Sequence, residues 1–205
     1  MNKALSAWVR SATRTDGPLL VVLAGSNGAG KSTFYRRNLR TTKLPLVNAD
    51  DIARALYPGA PDSRAYRAMR VADRIRENLL RLGVSFCMET VLSDTQNAKL
   101  NFFRLAQSLG FRVVLIHIQL ASPQLSQARV HQRVNSGGHD VPASKLLARF
   151  PRTAENAARA LSFVDYGLVL DNSSALRPFQ AVATWARGVC TPARQKNHRA
   201  RTKPE

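Results

Sequence analysis

The chain has 205 residues, enough for one compact domain with a full core, and its 44% hydrophobic and 21% charged residues are ordinary globular usage. Thirty-one Lys and Arg face thirteen Asp and Glu, and the net charge of +18 favours anionic partners: nucleotides, sugar phosphates, nucleic acid or acidic surfaces. No apolar run approaches the roughly 18 residues of a membrane-spanning helix. The two cysteines, Cys87 and Cys190, have no metal or redox spacing, so zinc and disulfide scaffolds find no support.

In chain order, the patch Ala4 to Val9 is too short for a signal-peptide core, and Arg10 and Arg14 break the stretch after it. The expected location is the cytoplasm. Pro18 to Ala24 (PLLVVLA) is a continuous apolar run, as expected of a strand buried on both faces. A glycine-rich turn comes next, and Ser32 to Leu39 continues as a helix. Leu44 to Val47 reads as a short second strand ending at Asn48-Ala49-Asp50-Asp51. Arg64 to Leu82 is a helix with Ala68, Val71, Ile75, Leu79 and Leu82 on one stripe, stopped by Gly83. Val84 to Met88 is a third strand leading to Glu89-Thr90, and it holds Cys87 as a reduced, buried thiol. A helix near Thr95–Leu109 carries Leu100, Phe103 and Leu105, and Phe111 to Leu120 is a fourth strand. A helix over Ser122–Asn135, a turn at Gly137-Gly138 and a basic helical stretch around 143–162 come next. Tyr166 to Leu170 is the last strand, ending at Asp171-Asn172, and Pro178 to Gly188 reads as a closing helix that buries Trp185.

Strands alternating with helices predict an α/β protein with a P-loop NTPase/kinase fold. Its parallel sheet of about five strands would be flanked by helices and carry a helical lid over about 123–155. One domain is expected over 1–190. Residues 191–205 read as a basic, disordered tail, with five Lys/Arg against one Glu after Thr191. Gly25, Asp50, Glu89 and Asp171 all fall at strand ends, where such sheets bind ligands.

Gly25-Ser26-Asn27-Gly28-Ala29-Gly30-Lys31-Ser32-Thr33 fits the phosphate loop without mismatch, and it lies between a strand and the start of a helix. Its backbone N–H groups would cradle the phosphates of ATP. Lys31 would reach the β- and γ-phosphates, and Ser32 would ligate Mg²⁺. Asp50 suits a general base that takes the proton from an attacking hydroxyl; its rivals are a helix N-cap, shared with Asp51, and a magnesium-shell ligand. Glu89 stands where a carboxylate meets metal or substrate, against the reading of a surface glutamate, and Thr90 offers a hydroxyl to the same ligand. In RVHQRVNSGGHDVP, Arg129 and Arg133 share a helix face, with Arg149 and Arg152 on the next helix. Brought over a γ-phosphate they would stabilise its transition-state charge; otherwise they are solvated surface arginines. His139 is a lid contact at most.

AGSNGAGKSTF, VNADDIA, SFCMETVLSD, RVHQRVNSGGHDVP, RFPRT and DNSS, in this order over roughly residues 18–175, resemble the zeta-toxin-like kinases. The resemblance implies a P-loop kinase that phosphorylates the 3′-hydroxyl of UDP-N-acetylglucosamine with ATP and Mg²⁺, and an antitoxin protein as a candidate partner. By similarity Lys31 and Ser32 hold ATP and magnesium, and Asp50 is the base, which raises that reading over the cap. Glu89 and Thr90 meet the acceptor, with His139, Arg149 and Asp73 as further acceptor contacts, although Asp73, at another acidic position of the family, also reads as a solvated helix carboxylate; Arg129, Arg133 and Arg149 serve the phosphates. The chain carries Glu89-Thr90-Val91 where the family has Glu-Gly-Thr.

The leading expectation is therefore an ATP-dependent kinase acting on a hydroxyl of a small acceptor, a nucleotide sugar in first place. The alternatives are a nucleic-acid-binding NTPase or RNA kinase, prompted by the basic tail, and a nucleotide-binding regulator without acceptor. No aromatic-studded basic run supports the nucleic-acid reading.

Overall fold

The computed structural model describes residues 3–57, 65–135 and 141–193. The expected turn at Gly137-Gly138, His139 and nearly all of the basic tail lie outside the described residues.

Seven described strands form one sheet in the order β2-β3-β1-β4-β5-β6-β7. Strand β1 (Leu19–Gly25) is the apolar run read from the sequence, and every one of its residues is buried. It lies between β3 (Phe86–Thr90) and β4 (Arg112–Gln119), parallel to both. Strand β2 (Leu46–Val47) adds two parallel pairs to β3, and β5 (Tyr166–Asp171) pairs parallel with β4. The direction of winding reverses at β1, so the crevice of this sheet opens at its carboxyl end, where the glycine-rich loop begins.

Helices cover both faces. On one, α4 (Ala65–Arg81), α5 (Ala98–Ser108) and α7 (Ala143–Leu161) pack over Leu20, Val22, Phe86, Met88, Val113 and Leu115. On the other, α1 (Lys3–Thr13) and α2 (Lys31–Phe34, continued by a wide turn over Tyr35–Leu39) cover Val21, Leu23, Cys87, Val114 and Ile116. The patch around Ala4 to Val9 is thus part of a helix that buries Leu5, Val9 and Ala12. Outside them, α3 (Ala49–Leu56) packs against α4 and α6 (Pro123–Asn135) against α7. Cys87 is fully buried, and burial together with the neighbouring Glu89 carboxylate pushes its thiol up, as suits an inert core residue.

Two expectations are corrected. Residues 178–188 form no helix: β6 (Gln180–Ala186) and β7 (Val189–Pro192) extend the sheet as an antiparallel hairpin on β5. The deciding signal is the two-residue turn Arg187-Gly188, with φ of 47° and 79°, the left-handed pair that matches hairpin twist. Trp185 is partly buried there, opposite Gly167 of β5. The second correction concerns α4. Its inner stripe is Ala68, Ala72 and Leu80 with Arg76 among them, while Ile75 and Leu82 remain 38% and 73% exposed. Small side chains let the helix lie close to the sheet, and a buried guanidinium takes the place the apolar periodicity had assigned to isoleucine. In α5, Leu100 and Phe103 are buried as expected, but Leu105 is exposed.

Candidate active site

The glycine-rich loop leaves β1 at Gly25 and enters α2 at Lys31. Gly30 holds φ 93°, and a Cβ there would stand 2.7 Å from Asn172 Nδ2, so the turn and its packing both call for glycine. At Gly28 a Cβ would meet the Ser126 carbonyl oxygen at 2.9 Å, which shows how closely α6 approaches the loop. Ser126 Oγ donates to the Asn27 carbonyl at 2.6 Å, and Asn172 Nδ2 donates to the Ala29 carbonyl at 2.8 Å. Asn172 Oδ1 in turn accepts from Phe179 N–H, and the Phe179 ring meets Phe34 edge-on at 5.4 Å. The loop is therefore clamped from α6 on one side and from the β5–β6 connection on the other. Ser26 Oγ and Asn27 Oδ1 are buried without a partner among the described residues. Buried polar atoms of this kind are costly unless something bonds them.

Lys31 is buried, and its Nζ donates to the carbonyls of Gly25 at 2.9 Å and Ser26 at 3.1 Å. Burial pushes its ammonium below the usual lysine range. The carboxylates of Glu89 and Asp50 oppose that shift, and Arg133 adds to it. Lys31 thus shares one electrostatic field with three of the predicted site residues, which the sequence separates by up to a hundred positions.

Glu89 comes from β3 with its carboxylate largely buried. Its Oε2 accepts from Ser32 Oγ at 3.1 Å and from Asn48 Nδ2 at 3.2 Å, while Oε1 lies 3.8 Å from Lys31 Nζ. That disposes of the surface-glutamate reading: β3 runs on through Glu89 and Thr90 and aims the carboxylate at the loop. Asp50 sits in the first turn of α3, exposed to solvent. It does not cap the helix, and neither does Asp51; Asn48 Oδ1 accepts the Asp50 N–H at 2.9 Å and holds the N-cap. Asn48 therefore bonds Glu89 with one end of its amide and the Asp50 backbone with the other. Thr90 Oγ1 accepts from Leu92 N–H at 3.0 Å and so shapes the turn after β3.

Among the arginines, Arg129 donates to the Ser173 carbonyl at 3.4 Å and its Cβ faces Gly28. Arg133 is exposed on α6, close enough for its charge to act on Lys31. Arg149 is half-buried on α7, and Arg152 Nε donates to the Ser93 carbonyl at 3.2 Å, strapping α7 to the turn after β3. Asp73 bonds Arg76 at 2.8 Å and Lys99 at 2.6 Å. Thr33 accepts a long bond from Arg36 at 3.4 Å.

Sequence reasoning missed Asn48, Asn172 and Arg76 as site residues. The first two stood beside noted carboxylates, at Asn48-Ala49-Asp50 and Asp171-Asn172. Arg76 gave no signal on its own. It also missed His117, buried on β4 with Nδ1 unpartnered among the described residues; burial, with Lys31 nearby, holds its imidazole down at about 4.

The residues fit Mg²⁺ with nucleotide phosphates. Ser32 and Glu89 present adjacent oxygen donors at the loop's edge, and Mg²⁺ takes one or two protein oxygens together with phosphate and water. Among the described residues no group of three or more His, Cys, Asp or Glu gathers into a protein-only metal cage, and this ion does not need one. No helix of the described residues is long and apolar enough to cross a membrane.

A phosphate loop at the switch point of a mostly parallel sheet, with a strand-borne carboxylate beside it, defines a P-loop protein of the kinase-like class. An AAA domain family model matches residues 20–153, more than half of the chain, and the chain belongs to that family. It is 30% identical over 130 residues to an uncharacterized protein of Haemophilus influenzae, a match covering 63% of this chain and 91% of the relative. A structure from the PezAT chromosomal toxin-antitoxin system of Streptococcus pneumoniae superimposes with a TM-score of 0.61 at 19% identity, covering 88% of this chain and 79% of that one. The AvrRxo1-ORF1:-ORF2 structure with ATP gives 0.64 at 19% identity, with 93% and 68% covered. These two likenesses concern the fold.

Proposed function

We propose that the protein is a kinase that transfers the γ-phosphoryl group of ATP to a hydroxyl of a small acceptor, with a nucleotide sugar of the UDP-N-acetylglucosamine kind as first choice. The observation that carries the reading is the joining of Lys31, Ser32, Asn48, Asp50 and Glu89 through one amide and one carboxylate. A regulator that only binds nucleotide could use Glu89 as a magnesium ligand but has no need of a second carboxylate, Asp50, at the mouth of the crevice.

In this reading the backbone of residues 25–33 binds the phosphates at the positive end of α2. Lys31 leaves its own loop carbonyls to pair with the β- and γ-oxygens. Ser32 and Glu89 would hold Mg²⁺, which supplies charge neutralisation at the phosphates. Asp50, exposed at the mouth of the crevice, takes the proton from the acceptor hydroxyl. The hydroxyl oxygen forms the new P–O bond as the β–γ bridge breaks, and the leaving electrons stay on ADP. Arg129, Arg133 and Arg149 approach from α6 and α7 to pair with phosphate oxygens of ATP or of a diphosphate-bearing acceptor. Thr90 and the turn after β3 line the acceptor side.

The test is ADP release with ATP and Mg²⁺, with and without a panel of UDP-sugars, nucleosides and RNA ends, together with mass spectrometry of the acceptor. Acceptor-dependent release with a phosphorylated UDP-sugar supports the full reading. Phosphorylation of another metabolite or of an RNA end keeps the kinase and discards the nucleotide sugar. Nucleotide binding with no transfer to any acceptor leaves the regulator.

A further inference from the structure

Strand β2 has only two residues in the ladder, Leu46 and Val47, opposite Cys87 and Met88. One residue further on, the chain turns away into α3, so the β2–β3 ladder ends where both strands deliver their site residues: Asn48 and Asp50 from one, Glu89 from the other. Parallel strands that stop pairing leave main-chain carbonyls to be satisfied by other donors. Here one side chain does it. Arg76 of α4, 3% exposed, donates from Nη2 to the Val47 carbonyl at 3.1 Å and to the Glu89 carbonyl at 3.2 Å. Its Nη1 pairs with Asp73 at 2.8 Å, and Lys99 of α5 holds the same Asp73 oxygen at 2.6 Å.

We infer that Arg76, oriented by Asp73 and Lys99, is a positioning residue that fixes the ends of β2 and β3 relative to each other, and so sets Glu89 and Asp50 for metal binding and proton transfer. This inference rests on the proposed kinase site and deepens it, and it gives Asp73 a place in the clamp in addition to its expected acceptor role.

The guanidinium fork makes this possible. One Nη2 group spans two carbonyls on adjacent strands while the other end of the same plane is held by a carboxylate, which an ammonium on a flexible stem cannot reproduce. Van der Waals packing alone would leave the two strand ends free to separate, because the ladder has ended at Val47 and the Asn48–Glu89 bond is a single link between side chains. The clamp touches neither the phosphate loop nor any group that meets nucleotide directly. Its loss should therefore spare nucleotide binding and fall on the metal and on turnover.

The experiment compares the wild-type chain with Arg76→Lys and Asp73→Asn. Folding is checked by circular dichroism and thermal melting. The two binding readouts are affinity for a fluorescent ATP analogue in EDTA, and Mn²⁺ titrated into the complex with a non-hydrolysable ATP analogue and monitored by electron paramagnetic resonance. The kcat of ADP release is measured beside them. For Arg76→Lys we expect metal-free nucleotide affinity within about threefold of wild type, Mn²⁺ binding weakened about tenfold, and kcat lowered by about 10²-fold, as misplacement by an ångström can cost. Asp73→Asn should move the same quantities by a smaller factor. A folded Arg76→Lys protein with wild-type Mn²⁺ affinity and kcat overturns the inference. So does one in which nucleotide affinity falls as far as Mn²⁺ affinity, since that is general loosening. If Arg76→Lys does not fold, Asp73→Asn is judged by its Mn²⁺ and nucleotide affinities: weakened Mn²⁺ binding with nucleotide affinity held supports the clamp, and unchanged Mn²⁺ binding overturns it. A wild-type chain that turns over no ATP with any acceptor of the panel would sink the kinase reading, and the Mn²⁺ titration would still decide this one.

Discussion

The two halves of the site are held by different means. Around the phosphate loop, position is set by backbone: a fully buried strand, a run of main-chain donors and the start of a helix, clamped by Asn172 and Ser126 through bonds to the loop carbonyls. Across the crevice, Glu89 and Asp50 are placed by side chains from three places in the chain: Asn48 before α3, Arg76 and Asp73 on α4, and Lys99 on α5. Backbone placement is stiff and local; a side-chain network is adjustable and depends on every member. The difference suits a kinase whose nucleotide half is generic and whose acceptor half is where specificity is made.

Breaking the backbone-held half at the loop's lysine should have the largest effect. Lys31→Ala is expected to reduce transfer by at least about 10³-fold, since no other side chain of the loop neutralises charge shifting to the β/γ oxygens. Mass spectrometry of the product reads this, and substantial phosphorylation by the variant would move the catalytic centre away from the loop. Asp50→Asn probes the other half alone. Because Asn48 is the helix cap, this substitution should leave stability and ATP affinity near wild type and lower turnover by roughly 10²–10⁴-fold. A sharp loss of stability with turnover per folded molecule unchanged would return Asp50 to a structural role.

The pH dependence sharpens the contrast from beneath the loop. His117 is held down to about 4 by burial, so the unfolded chain takes up a proton that the native chain refuses. Its contribution is fully present above the unfolded pKa of about 6.5, and is lost as pH falls from there towards 4. The shift amounts to roughly 3 kcal/mol. Urea melts of wild type and His117→Leu between pH 7 and 4 should diverge in slope, with the variant the flatter; parallel curves would place the dependence elsewhere. The smallest effect is expected at the clamp on the loop. Asn172→Ala leaves the Ala29 carbonyl and Phe179 N–H without their partner, which should cost about 1–3 kcal/mol in chemical denaturation. ATP affinity should fall with it, whereas metal-free nucleotide binding should hold in Arg76→Lys.

How far the sequence could be read tracks the same division. Strand β1 and the loop were legible because apolar run and glycine spacing are contiguous, and parallel strands β3, β4 and β5 showed themselves as buried runs. The hairpin after Pro178 was not. Gln180–Ala186 is rich in alanine and compatible with a helix, and only the open edge of β5 and the Arg187-Gly188 turn decide for a strand. On α4 the apolar periodicity pointed to Ile75 and Leu82, yet the inner face carries Ala72, Arg76 and Leu80. A buried arginine is invisible to hydrophobic patterning because its reason for burial, two carbonyls and a carboxylate, is scattered over residues 47, 73 and 89. Glu89 and Asp50 were singled out from the ends of their strands; the side chains that hold them were not.

The most direct test of the central claim is ADP release by the wild-type chain and by Asp50→Asn, measured with saturating ATP and Mg²⁺ in the presence and absence of UDP-N-acetylglucosamine. A phosphotransferase with Asp50 as its base predicts release that rises with acceptor, a phosphorylated sugar in the wild-type reaction, and an acceptor-dependent rate at least about 10²-fold lower in the variant. Equal acceptor-dependent rates in the two proteins would contradict it.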